Sequence, residues 1–329
     1  MPRASSLNSA IQDGVIDWLL EDNEPSIKYL TLIDLLNEPH DSPLVQKTKK
    51  QIAKSERILA LLSGQQSDGG FGCHPYDKWM GAHWRLRSMV DLAIQEGDKR
   101  ALKSADQVLK WLLSPEHKKN IRLINGRIRR CASQEGNAIL SCSRLGIADD
   151  PRVKYLAESL VSWQWPDGGW NCDKEPDAHH SSFYESIIPM WGLLEYHQAT
   201  GDKKSLAAAK KTREFLLRHS LFRSERTGKI ITRKFLNLRY PHYWHYNILQ
   251  GLSALTVLGN IKDLRASEAL DIVEQKRRPD GRWKADGYYW KPPAQGRRYG
   301  SPVDWWRGKP NKMLTLNALI VLKKAGRLK

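Results

Sequence analysis

Five of the ten histidines in this 329-residue chain stand just before or inside the first turn of a stretch with helical apolar spacing: His83, His179, His180, His242 and His245. Imidazole is the side chain that carries protons near neutral pH, so the group is a first candidate for acid–base chemistry. His180 leads the group as a catalytic candidate. Tyr184 lies four residues on along the same helical face, and Glu185 follows it, a carboxylate placed to orient the imidazole or to act as an acid of raised pKa. His83 and His245 are further proton carriers or ligands, with His179 beside them.

Cysteines accompany these histidines. Asp68-Gly-Gly-Phe-Gly-Cys73 leads to Ala82-His83, and Asp167-Gly-Gly-Trp-Asn-Cys172 leads to Ala178-His179, while Cys131 stands just before another apolar stretch. Thiolate and imidazole donors gathered at one rim suit zinc, so Cys73, Cys131 and Cys172 are the candidate metal ligands, although neither C-x-x-C nor H-E-x-x-H spacing occurs. Aromatic and charged residues crowd the same helix starts. Trp79, Trp84, Tyr184, Tyr243, Tyr246, Trp290 and Trp305, with Arg87, Glu135 and Lys312, are the candidate substrate-binding set. Aromatic faces shelter apolar chains and cations, and they equally stack nucleic-acid bases.

These residues need elements to hold them. Apolar positions at i, i+3 and i+4 predict twelve helices, near 13–22, 27–37, 43–63, 82–96, 100–113, 133–145, 151–163, 181–199, 203–218, 243–258, 263–276 and 311–325. Gly97, Gly146, Gly201, Gly259 and Gly326 follow helices as C-terminal glycines do, and Pro25 and Pro151 stand at helix starts. Amphipathic helices such as 204–220 alternate with ones that are apolar nearly all round, such as 247–259 and 313–322. A helix apolar all round is a buried one. Six hairpins of this kind predict an all-α, single-domain (α/α)6 toroid over 13–329, with an apolar inner ring, an amphipathic outer ring and a loose tail over 1–12. Inner-helix N-termini then converge on one mouth, where their unpaired N–H groups favour an anion. The segment 284–310 is long for a loop and rich in Tyr, Trp, Lys and Arg, which predicts a lid over that mouth.

Three segments repeat: Gln65-Gln66-Ser67-Asp68-Gly69-Gly70-Phe71, Gln164-Trp165-Pro166-Asp167-Gly168-Gly169-Trp170 and Arg278-Pro279-Asp280-Gly281-Arg282-Trp283. Their aspartates are 99 and 113 residues apart. Gly-Gly frees the turn, Asp accepts a backbone N–H and the aromatic packs beneath, so Gln164, Asp167 and Trp170 are staples rather than catalysts. The pattern resembles the QW repeat of the terpenoid cyclase and protein prenyltransferase superfamily over residues 15–326. The resemblance implies an α/α toroid with a sheltered apolar cavity and an isoprenoid-like substrate. The chain departs from that superfamily in lacking the Asp-x-Asp-Asp acid of the polyene cyclases and the Asp-x-Cys zinc pair of the protein prenyltransferases.

Composition narrows the classes. Lys and Arg exceed Asp and Glu by 53 to 36, a net charge of +17, while 40% hydrophobic residues suffice for a core. No apolar run approaches the ~20 residues of a membrane span. The N-terminal residues lack the apolar region of a signal peptide, and four cysteines make no disulfide framework, so the expectation is a cytoplasmic protein. Three functions follow. The first is an enzyme of the cyclase or prenyltransferase type, a transferase, cyclase or lyase acting on a small apolar or anionic substrate. The second is a nucleic-acid-binding or nucleic-acid-modifying protein that uses the basic, aromatic mouth. The third is a carbohydrate hydrolase or lyase with Glu135 and Glu185 facing each other.

Overall fold

The computed structural model describes residues 14–289 and 301–328. The chain is mostly helical, and the burial of each helix follows its sequence character. A short helix α1 covers 14–19. α2 (Pro25–Leu30) runs on into a wider π turn at Thr31–Leu35, and α3 (Pro43–Ile52) and α4 (Glu56–Leu62) follow. The predicted helix at 43–63 is thus two, because the chain turns at 53–55 before Ser55 starts α4.

α5 (Ala82–Asp91), α8 (Ser133–Arg144), α10 (Phe183–Thr200), α12 (Ile248–Val257) and α14 (Lys312–Lys324) are buried on most sides, α8 through ten consecutive residues. Between them stand α6 (Lys99–Leu113), α9 (Pro151–Trp163), α11 (Lys203–Arg218) and α13 (Ser267–Gln275). These bury one stripe each; α6 buries Ala101, Ser104, Ala105, Val108, Leu109 and Leu112. The buried helices touch in chain order, α5 on α8, α8 on α10, α10 on α12 and α12 on α14, and α14 also lies against α2 and its π turn. Each striped helix packs in the groove between its two buried neighbours.

Two elements lay outside the predicted set. A short helix α7 (Pro115–Lys118) leads into an antiparallel hairpin, β1 (Arg122–Ile124) with β2 (Arg127–Arg129), turned by Asn125 and Gly126 at positive φ. Alternation over such short strands is too brief to register as a period. The helix expected from 243 begins only at 248, since Tyr243 takes a left-handed φ of 55° and Asn247 caps the later start.

The three repeats act as staples. Gln164 Nε2 donates to the carbonyls of Gly168 and Ala208 and to Thr212 Oγ1, tying the end of α9 to α11. Gln65 does the same from α4 to Arg100 and Ser104 of α6. Gly168 lies at φ 102°, and a Cβ there would fall 2.6 Å from Lys211 O, so glycine is required on both counts. Trp170 and Trp283 each donate Nε1–H ten residues back, to Leu160 O and Val273 O, while their own N–H groups reach Ser186 of α10 and Thr315 of α14. The staples therefore join striped helices to one another as well as to the buried helices.

The closest approach in the interior is α8 on α10. A Cβ on Gly136 would sit 2.6 Å from Pro189 N, and one on Gly192 would sit 2.6 Å from Gly136 O. Backbone meets backbone here, so neither helix can yield without repacking. We expect Gly136→Ala to destabilise the protein by at least the ~1–3 kcal/mol of an overpacked core, read by urea denaturation. Ser141→Ala on the same buried helix should be near neutral, because Ser141 Oγ has no hydrogen-bond partner among the described residues. Equal costs for the two changes would refute the special role of this contact.

Candidate functional site

The candidate site residues fall into three groups, two of them drawn largely from the predicted set. The first forms a polar nest at the starts of α5, α8 and α10. Arg129 bridges Asn171 in parallel fashion, and Arg130 N–H donates to Asn171 O at 3.0 Å, which brings the next residues, Cys131 and Cys172, side by side. Glu185, in the first turn of α10, completes a cluster whose donor atoms all lie within 4.8 Å of one another. Its Oε2 accepts from Ser133 N–H at 3.0 Å, and its Oε1 accepts from Cys172 Sγ at 3.8 Å. Burial pushes the Glu185 carboxyl up from its ordinary pKa. The hydrogen bond from Cys172 lowers the Cys131 thiol, and that bond together with burial raises Cys172.

Behind this cluster, Glu135 takes Arg130 at 2.8 Å from Nε and 2.5 Å from Nη2, with His117 Nε2 3.8 Å away. Burial alone would raise its carboxyl; Arg130 and His117 outweigh that and leave it below the ordinary value. His83 is packed among the rings of Tyr76, Trp84 and Trp111, and burial lowers its pKa to about 3. Three buried atoms of this nest, His83 Nε2, Gln134 Oε1 and Glu135 Oε2, have no hydrogen-bond partner among the described residues. Two expectations change here. Cys73 is exposed and stands outside the cluster, its place taken by Glu185. The leading candidate His180 and its neighbour His179 are exposed, ring against ring at 4.0 Å, on a loop held by Asn171 Nδ2–H on His180 O. Glu185 turns inward to Ser133 and Cys172, so it does not serve His180 as expected.

The second group is an aromatic plug. Tyr289, His245, Trp244, Trp79 and Tyr243 stack in succession, with centroids 3.3 Å apart for Tyr289 and His245 and 4.1 Å for Trp79 and Tyr243. Trp84 meets Trp79 and Tyr243 edge-on, and Tyr184 meets His245 edge-on. These rings spend their faces on each other, and burial lowers His245 to a pKa of about 3. Others of the expected substrate-binding set are structural. Tyr246 OH donates to Leu221 O at 2.7 Å within a cluster of Phe183 and Phe235. Trp305 is 1% exposed and donates to Ser301. Lys312 is buried in an ion pair with Glu21 at 2.8 Å, joining α14 to the segment after α1. Trp290 lies outside the described residues, as does the middle of the expected lid.

The third group was not anticipated. A cavity of about 830 Å³ lies among the buried helices, and of the expected substrate-binding residues Arg87 alone lines it. Arg87 holds Asp91 through Nε at 3.0 Å and Asn137 Oδ1 at 3.0 Å. Tyr240, His242 and Gln250 stand beside them. Tyr240 OH and Gln250 Oε1 are buried with no partner among the described residues. The wall continues to the late turns of the helices, with Asp34, the ion pair of Arg144 and Glu195, and Lys324. Asp34 is exposed at the edge of this recess, and partial desolvation by the surrounding wall raises its carboxyl, against the pull of Arg144, His40 and Lys324. Sequence reasoning looked only at helix starts and so missed Asp34, Arg144 and Glu195. The one available signal was a charged residue within an otherwise apolar helix, read for Arg87 and not for the others.

Among the described residues no helix is long and apolar enough to cross a membrane. Compared with family models, with curated proteins and with solved structures, the chain matches none.

His242 is buried, with Nδ1 3.3 Å from Asn247 Nδ2, and burial lowers its pKa from 6.5 to about 4, with Asp91 and Arg87 acting in opposite senses. The unfolded chain therefore takes up this proton first. The contribution of His242 is fully present above pH 6.5 and is lost as pH falls toward 4. Between pH 6.5 and pH 5 the loss is about 2 kcal/mol at 1.36 kcal/mol per unit. Urea unfolding at pH 7.5 and pH 5 should show a gap that shrinks by about that amount in His242→Gln. An unchanged gap would exclude the buried neutral state.

Proposed function

We propose that this chain is an enzyme of the terpenoid cyclase and prenyltransferase type, built as a six-hairpin α/α toroid. It performs acid–base chemistry on a small, largely apolar, isoprenoid-like molecule with a polar or anionic end. What carries this reading is the central cavity, whose wall draws on α2 with its π turn, α5, α8, α10, α12 and α14 together. A ring of hairpins is the arrangement that gives one chain six inner walls around one space. Leu30, Leu140, Trp191, Met313, Leu316 and Val321 offer apolar surface to the body of a ligand. Arg144, Glu195, Val257 and Lys324 line it at the late turns of the buried helices, so in this reading the cavity is entered there rather than from the starts expected at first.

The acid and its partner are named by their environments. Asp34, whose carboxyl the surrounding wall pushes up, is the candidate acid, and His242, which burial keeps neutral, is the candidate hydrogen-bond partner of the reacting group. Tyr240 OH and Gln250 Oε1 satisfy their missing hydrogen bonds on the substrate's polar end. Lys324 and His40 stand at the mouth for an anionic group.

A second reading has one observation in its favour. Lys118, Lys119 and Arg122 are exposed on and before the β1–β2 hairpin, with Leu123 69% exposed between the strands' outer residues. A basic surface of this kind at the base of the hairpin suits a phosphate backbone.

The deciding experiment is a thermal-shift titration with farnesyl diphosphate, with pyrophosphate and a duplex oligonucleotide alongside at physiological salt. At a hundredfold excess over Kd the isoprenoid should stabilise by about 2.7 kcal/mol, well beyond pyrophosphate. Ile320→Trp, which fills the cavity from α14, should abolish that shift in a folded protein. Equal shifts with the two diphosphates, or an undiminished shift in Ile320→Trp, would overturn the cavity reading. Salt-sensitive stabilisation by the oligonucleotide alone would put nucleic acid first.

A further inference from the structure

Cys131, Cys172 and Glu185 present two sulfurs and a carboxylate oxygen within 4.8 Å of one another, and three independent backbone constraints hold them there. The Arg129–Asn171 bridge and the bond from Arg130 N–H to Asn171 O set the cysteines in register. Ser182 N–H donates to Trp170 O at 2.8 Å, which folds the 171–181 loop back onto the start of α10. Ser133 N–H fixes Glu185 through Oε2 and leaves Oε1 turned toward Cys172. Each constraint uses main-chain atoms, so the donors converge without help from a ligand.

We propose that these three residues form a binding site for a zinc-class divalent cation. Two thiolates and one carboxylate are a donor set that such an ion accepts at tetrahedral geometry. Three protein ligands leave a fourth position for water or a substrate heteroatom, as in catalytic rather than closed structural sites. The cysteines are half-buried, so that position is reachable, while Glu185 is 7% exposed and anchors the ion from within. The neighbourhood points the same way. Gln134 and Glu135, in the first turn of the adjoining α8, each keep a buried oxygen without a partner among the described residues, which a metal-bound water or substrate would satisfy. Arg130 stands beside the cluster and offsets the negative charge of two thiolates and a carboxylate. The site lies at the starts of α8 and α10 and none of its three ligands lines the central cavity, so it stands independently of the function proposed for that cavity.

The test uses the full chain, reduced and desalted, titrated first with zinc and then with cobalt. The expected result is one ion per chain by elemental analysis, and thiolate-to-cobalt charge-transfer absorption with the ligand-field intensity of a tetrahedral site. Cys131→Ser and Cys172→Ser should each lose most of the charge-transfer band, and Glu185→Gln should weaken binding at least tenfold while keeping the sulfur bands. Cys73→Ser and Cys142→Ser should change neither, since Cys73 is exposed and outside the cluster and Cys142 is buried elsewhere in α8. Circular dichroism checks the fold of each variant. Should a serine variant fail to fold, chelator removal and cobalt reloading of the unmodified chain give the same spectral readout. Absence of stoichiometric binding by the reduced, folded chain would overturn the proposal, and so would charge-transfer bands that survive in the double variant Cys131→Ser, Cys172→Ser.

Discussion

The contact of α8 with α10 at Gly136, Gly192 and Pro189 is the constraint on which the rest of the molecule depends. Two helices approach this closely only where no Cβ intervenes, and the distances of 2.6 Å that a methyl group would meet leave no slack. The approach has consequences at both ends. At the helix starts it places Ser133 N–H on Glu185, beside Cys131 and Cys172. Along the helices it places Leu140 and Trp191 on one wall of the cavity, and at the far end it pairs Arg144 with Glu195. A larger residue at position 136 would disturb the nest and the cavity together.

Positive charge is the second theme, and much of it works inside the molecule. Arg85 is buried and donates to the carbonyls of Leu61 and Ser63, where it closes the end of α4, and to Met80 O. Arg87 and Arg130 hold carboxylates within the ring, and Arg152 joins Asp150 to Asp106 across α9 and α6. Guanidinium suits this work, because its planar fork satisfies two acceptors at once and stays charged when buried. Each such pair cancels one carboxylate against one guanidinium, so the net charge of +17 is carried by the cations outside these pairs. The aromatic excess has a comparable internal use. Trp79, Trp84 and Trp305 read as part of a binding wall, yet each is nearly excluded from solvent, as are the staples Trp170 and Trp283.

Much of the architecture was legible beforehand, because burial imposes a period that one sequence displays. The striped helices α6, α9, α11 and α13 and the largely apolar α14 stand where their spacing put them, and the Gln-Asp-Gly staples bond as their chemistry implied. The hairpin at Arg122–Arg129 and the late start of α12 were not legible, since one rests on strands of three residues and the other on a left-handed φ at Tyr243.

The sites divide along the same line. Residue chemistry singled out Cys131 and Cys172, together with Cys73, as metal ligands, His83 and Glu185 as catalytic candidates and Glu135 as a substrate-binding one, because each stands near the start of a predicted helix, and helix starts gather wherever such helices pack side by side. Chain order determined that much. Which of them face inward was decided in three dimensions: one loop turns His179 and His180 to solvent, one main-chain bond turns Glu185 to the cysteines, and Cys73 is left outside. The cavity was decided there entirely. Asp34, Arg144 and the pair Tyr240 and His242 come from three separate stretches with no common spacing, and only the packing of α2, α8 and α10 with the loop before α12 makes them neighbours of one space.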